Sequence, residues 1–166
     1  MLRFLTVLAV LAASLVAAVP AGAVTTAPYQ ATFIEPYGGP VESPFSCPPG
    51  TSCGSATISG LGHAAGNLIV FNACGLGCHL RTITFADGST LVIREVPVGG
   101  FSSPGNSGSS GYIGFGFPGN PQFQEITQEI VGGAGRFAGA SGSGAGRVKV
   151  AGGTAIIKTS GTITLP

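Results

Sequence analysis

Residues 80–95 alternate apolar and polar side chains on both sides of Ala86-Asp87-Gly88. Alternation with period two marks a strand with one buried face, and a glycine closing a three-residue loop supplies the left-handed conformation such a hairpin needs. In that register Phe85 faces Ser89, and Ile83, Phe85, Leu91 and Ile93 share one face. Thr82, Thr84, Thr90, Val92 and Arg94 share the other. A two-residue Asp-Gly turn would slip the pairing by one, mix the two sets and set Arg81 against Arg94, a like-charge pair that costs stability. The hydrophobic pattern therefore selects the three-residue loop. The same parity turns Arg81 and Glu95 inward at one end of the apolar face.

The rest of the chain repeats this grammar. Candidate strands are 30–35, 55–64, 67–72, 79–85, 89–96, 112–117, 123–131, 147–150 and 154–165. With 29 glycines, 12 prolines and only 8% charged residues among 166, the composition is poor in helix formers and rich in turn and strand residues. Eight or nine short strands predict an all-β sandwich or barrel. A Pro-rich stretch, 36–50, and a Gly/Ser stretch, 99–111, read as surface loops. The low charge also excludes a polybasic nucleic-acid binder and a salt-bridge-laced helix.

The first residues have another purpose. Met1-Leu2-Arg3, the apolar run 4–19 and Ala21-Gly22-Ala23 have the form of a secretory signal peptide, with cleavage expected between Ala23 and Val24. The apolar run is short for the ~20 residues of a membrane span, so no span is expected after processing. Loss of Arg3 leaves equal numbers of basic and acidic residues, and the exported chain is formally neutral. Export agrees with four cysteines, since thiols in an oxidising compartment pair. Cys47 and Cys53 flank one short loop, Cys74 and Cys78 another, and two local bridges are expected from that spacing. The second bridge would place Phe71 opposite Arg81 and Ile69 opposite Ile83. Cys74, Cys78 and His79 lack the spacing of a zinc site, so no metal or cofactor is expected.

Candidate chemistry is sparse. An inward charge must be paired to be tolerated, so Arg81 and Glu95 form a structural ion pair or, in a hollow barrel, the polar floor or rim of an apolar ligand cavity. Glu125 and Glu129 alternate with Ile126 and Ile130 and point outward if the isoleucines point in. Gly133-Ala134-Gly135-Arg136-Phe137-Ala138 fits a loose dinucleotide pattern, but no amphipathic helix follows and no acidic residue occurs after Glu129. Gly50-Thr51-Ser52-Cys53-Gly54 fits the serine-hydrolase elbow only in letters, lying in a Cys-bracketed loop. His63 and His79 lack spaced partners for a triad.

The segment Gly132-Gly133-Ala134-Gly135-Arg136-Phe137-Ala138-Gly139-Ala140-Ser141-Gly142-Ser143-Gly144 resembles the Gly-Gly-Thr-Gly-Arg-Phe-x-x-Ala-x-Gly signature of the allene oxide cyclase and dirigent barrel superfamily, particularly its small secreted bacterial members, with Ala134 in place of the usual Thr. The resemblance implies an eight-stranded antiparallel β-barrel in which Gly132, Gly133, Gly135, Arg136, Phe137 and Gly139 form a structural corner, Phe137 plugs one end, and Arg136 meets a carboxylate or loop carbonyls. With the signal peptide read from the first residues, the expected organisation is 1–23 signal peptide, 24–54 N-terminal strand and Pro/Cys-rich loop, and 55–166 main barrel, with 24–166 one domain. Two functions follow as expectations. One is a non-catalytic exported barrel binding a small hydrophobic molecule. The other is a cyclase-like or coupling-directing enzyme that shapes a reactive guest, with Arg81 and Glu95 as polar anchors; homo-oligomers are common in the superfamily. An open barrel would place small residues such as Gly60, Gly114 and Gly116 inward, whereas a filled one needs large inward side chains in every layer.

Overall fold

A computed structural model describes residues 24–36, 47–48, 50–102 and 121–166. Eight strands follow one another: β1 (Thr25–Pro36), β2 (Thr51–Ser59), β3 (Gly62–Val70), β4 (His79–Phe85), β5 (Thr90–Ser102), β6 (Gln122–Ala134), β7 (Ser141–Ala151) and β8 (Thr154–Leu165). Each pairs antiparallel with the next, and β1 pairs with β8 to close the barrel. Closure removes every sheet edge, so all eight strands have two hydrogen-bonding neighbours.

The hairpin has the predicted register. Ile83 faces Leu91 and Thr84 faces Thr90. The Phe85 N–H donates to the Ser89 carbonyl at 2.9 Å, and Gly88 is left-handed at φ +80°. Ile83, Phe85, Leu91 and Ile93 are buried, as are Phe33 and Tyr29 of β1, Ile130 of β6 and Ile163 of β8. The expected corner is present too. A single 3₁₀ turn, Gly135–Phe137, joins β6 to β7; Phe137 is 1% exposed and its ring lies 4.6 Å from that of Phe85. Arg136 donates to the Leu61 carbonyl at 2.7 Å and meets Asp87 at 3.5 Å. Gly133 and Gly135 are required here because a Cβ would collide with the Thr90 carbonyl oxygen and the Ser89 hydroxyl.

Several boundaries differ from expectation. Residues 55–64 are not one strand, because Gly60 (φ +81°) and Gly62 (φ +105°) turn the chain between β2 and β3. The β3–β4 register is two residues from the one expected, with Ile69 opposite Arg81 and Asn67 opposite Ile83. Asn72, in the left-handed region at φ 56°, begins a longer connection than a tight Cys-bracketed turn would make, and Phe71 stays outside the ladder against His79. A shift of two keeps every residue on its face and moves the inward Asn67 from opposite Phe85 to opposite Ile83, toward Arg81. β5 runs to Ser102, so the stretch 99–111 does not begin as a loop; β6 and β7 are longer than 123–131 and 147–150 because glycines continue the ladders. β2 starts at Thr51, so a division at 54/55 falls within a barrel strand. The expected signal peptide, the strand 112–117, most of both loop stretches, and Gly114 and Gly116 lie outside the described residues. Gly60 is exposed in a turn and does not face the interior.

The inward small residues are instead on β7 and β8. Gly144, opposite Gly161, makes room for Tyr29: a Cβ there would come 2.5 Å from the phenol oxygen and 2.7 Å from the Ser160 carbonyl oxygen. Gly144→Ala is therefore expected to cost about 1–3 kcal/mol by overpacking, read as a lower urea midpoint; an unchanged midpoint would mean that this wall is not tightly packed.

Candidate functional site

Arg81 organises the interior. It is the third residue of β4 and is 1% exposed. Its Nε and Nη2 donate to the two oxygens of Glu95 on β5 at 2.8 and 3.0 Å, the fork-to-fork geometry in which a guanidinium matches a carboxylate. Its Nη1 donates to Glu35 Oε1 of β1 and, at 2.7 Å, to Asn67 Oδ1 of β3. Asn67 Nδ2 donates back to Glu35 Oε1 at 2.7 Å. On the other side Gln128 Nε2 of β6 donates to Glu95 Oε1 at 2.6 Å, and the Tyr29 hydroxyl donates to Gln128 Oε1 at 2.9 Å. The Arg81 guanidinium lies 4.1 Å over the Phe33 ring. Six polar residues from five strands thus form one buried layer.

The layer lies toward a particular rim. β1, β3, β5 and β7 all end at the rim that carries both disulfides, Cys47–Cys53 and Cys74–Cys78. The opposite rim is stopped by Phe85 and Phe137. The interior is consequently apolar at one end and polar toward the other.

Electrostatics follow from this burial. Desolvation works against the Arg81 charge, but the carboxylates of Glu95 and Glu35 outweigh it and hold the guanidinium proton more tightly than usual. The layer contains two carboxylates and one guanidinium, so its acceptors outnumber its fixed cations. Burial, reinforced by Glu95, pushes the Tyr29 phenol up to about 12; Tyr29 is a hydrogen-bond donor at any physiological pH and not a base. Burial also lowers His79, with Glu95 opposing and Arg81 assisting; its Nδ1 accepts the Asn72 N–H at 3.1 Å.

Arg81 and Glu95 meet inside as expected. Glu35, Asn67, Gln128 and Tyr29 were not among the expected site residues. Their signal was present in parity: Glu35 and Tyr29 alternate with the buried Phe33 and Ala31, and Gln128 sits between inward Ile126 and Ile130. Asn67 stands two residues before the inward Ile69, so parity marked it as well; which residue of β4 it meets depends on the register of β3 against β4. Glu125 and Glu129 point outward and pair with Arg147 at 2.6 Å and with Arg94. The corner residues Gly132 to Gly139 stand at the opposite rim from the polar layer and build structure there. The side chain of His63 is outside the described set. Among the described residues no group of His, Cys, Asp and Glu could hold a metal ion.

Two oxygens remain open. Glu35 bonds through Oε1, and Oε2 accepts nothing among the described residues. The Thr159 hydroxyl of β8, buried next to Gly146, has no partner among them either, at a cost of roughly 1–3 kcal/mol if it stays dry. Chemically the arrangement can receive hydrogen bonds from a guest; it offers no activated nucleophile. Comparison of the chain with protein-family models, curated proteins and solved structures finds no match.

Arg81→Met is expected to destabilise the barrel by about 3–5 kcal/mol, since it strands two buried carboxylates; a denaturation midpoint within error of the parent would show the layer to be hydrated. The pH dependence has a defined sign. A histidine held below about 6.5 binds its proton more weakly folded than unfolded, so stability is full above that pH and declines as the pH falls through it. Melting curves between pH 7.5 and 5 should show this decline, and His79→Gln should flatten it; an equal slope in the variant would assign the decline elsewhere.

Proposed function

We propose that this chain is an exported, non-catalytic β-barrel of the allene oxide cyclase and dirigent type that binds a small, mostly apolar molecule through the polar interior layer near the disulfide rim. The observation that carries this reading is the layer itself. Six interlocked polar side chains add little net stability to a core over an apolar filling of the same volume, whereas a binding site needs a few convergent polar groups in apolar surroundings to orient its guest. Glu35 Oε2 and the Thr159 hydroxyl have no partner among the described residues, and the surplus of carboxylate over guanidinium disfavours an anionic guest. A neutral molecule with a hydroxyl or amine is the class that fits.

Support for export comes from the signal-peptide-like start and from two disulfides at one rim, which fit an oxidising compartment. The thirteen-residue resemblance at 132–144 and the closed eight-stranded barrel support the superfamily reading. An enzyme that shapes a reactive guest is the second reading, favoured by the hydrogen-bonded run Tyr29–Gln128–Glu95. Against it, Arg81 holds both Glu95 oxygens and Gln128 shares one of them, and a carboxylate so paired is a poor base.

Native mass spectrometry of protein purified from culture medium tests the reading. A chain starting at Val24, four hydrogens lighter than the reduced mass, with a co-purifying small molecule that dissociates on denaturation, is the expected result. A chain that retains residues 1–23, or one that never carries or takes up a hydroxyl- or amine-bearing apolar compound from a screened panel, would contradict it. Arg81→Met with Glu95→Gln should abolish retention of that molecule while keeping the barrel's β-type circular dichroism.

A further inference from the structure

The outer wall formed by β7, β8, β1 and β2 has an unusual charge distribution. Arg147 on β7 stands directly opposite Lys158 on β8, and Lys149 is two residues along from Arg147 on the same outward face. All three are exposed. Directly opposed side chains have Cβ atoms about 5 Å apart and diagonal ones ~7–8 Å, so three cations occupy one small area. Like charges in register are unfavourable unless a counter-charge lies between them.

The described residues supply little of that counter-charge. Arg94 and Arg136 face Glu129 and Asp87. Arg147 has Glu125 of β6 on its far side, but Lys149 and Lys158 have no carboxylate within ion-pair distance among the described residues. On β7, β8, β1 and β2 the only acidic residue is Glu35, which points inward to Arg81. Among the described residues the carboxylates therefore lie inside the barrel, at Asp87 and on the neighbouring strand β6, where Glu125 neutralises Arg147, while Lys149 and Lys158 are left as the unpaired cations of this wall.

The remaining chemistry of this wall is specific. Ile34 and Ile156 are paired in register beside the cations, and Ile34 is 46% exposed. Around them the outward positions carry hydroxyls and amides, including Gln30, Thr57 and Ser160, all exposed. A hydroxyl-rich surface with a small apolar strip and a cation cluster is complementary to a sugar chain, whose hydroxyls need donors and acceptors, whose ring faces need apolar contact, and whose acid groups need cations.

We propose that this wall binds an acidic polysaccharide, a carboxylate-bearing glycan outside the cell. A second copy of the chain is a poor occupant because two such walls repel each other. A lipid surface would call for large exposed apolar side chains in place of the hydroxyls. The proposal concerns the outside of the barrel and stands independently of what the interior holds.

Affinity electrophoresis in gels containing polygalacturonate tests it, with neutral dextran gels and vesicles of anionic phosphatidylglycerol as parallel arms. The parent protein should be retarded by polygalacturonate at low salt, not by dextran, with the retardation lost at high salt. Lys149→Gln with Lys158→Gln should weaken it about fivefold. Thr84→Glu with Ala86→Glu, which changes net charge equally from the opposite wall, should leave most of the retardation in place. No retardation of the parent, equal loss in both double variants, or capture by the vesicles and not by the glycan would overturn the proposal.

Discussion

A guanidinium buried to 1% exposure sets the terms for the whole interior. Left alone, the Arg81 charge would be intolerable inside a barrel; it is held because four other strands each bring a partner or a partner's partner to the same level. Glu95 arrives from β5, Glu35 from β1, Asn67 from β3 and Gln128 from β6. These contacts work only if every register between β1 and β6 is right. A slip of one residue anywhere would turn a partner to solvent and leave Arg81 unpaired. The polar layer therefore specifies the barrel's alignment, while the apolar layers behind it supply the burial that makes the barrel stable.

Closure imposes a second constraint. Residues on facing strands approach each other closely, and the chain answers with glycine where backbone or a large side chain must pass. Gly144 admits Tyr29, and Gly133 and Gly135 admit the corner that seats Phe137. The glycine content that speaks against helices is, in the folded chain, the means by which β7 and the corner come close enough to close the sheet. Large inward residues on β1, β4 and β5 face the small ones on β7.

Much of this was legible in the sequence because parity is a strong signal. The Ala86-Asp87-Gly88 loop fixed one hairpin, and from it the inward placement of Arg81 and Glu95 followed; alternation with Ile126 and Ile130 separately turned Glu125 and Glu129 outward. The same reasoning extended to β1 and β6 reaches Glu35, Tyr29 and Gln128. It fails at β3, where the bulge between Ala64 and Gly66 and the left-handed Asn72 decide the register, and neither is marked by a residue pattern that alternation can read. Gly60 misled for a related reason: a glycine is equally at home in a turn and in a thin wall, and only the pairing of β2 with β3 distinguishes the two.

Hydrogen exchange at Arg81 is the most direct measurement of the central claim, that a single paired guanidinium organises the interior. In an NMR spectrum of the protein at neutral pH, the Arg81 Nε–H should be a sharp resonance exchanging with solvent orders of magnitude more slowly than those of Arg94 and Arg147, with its two Nη groups inequivalent. An Arg81 side chain whose protons exchange as fast as those of the exposed arginines would contradict the account, because a guanidinium open to water could not hold Glu35, Asn67 and Glu95 in place.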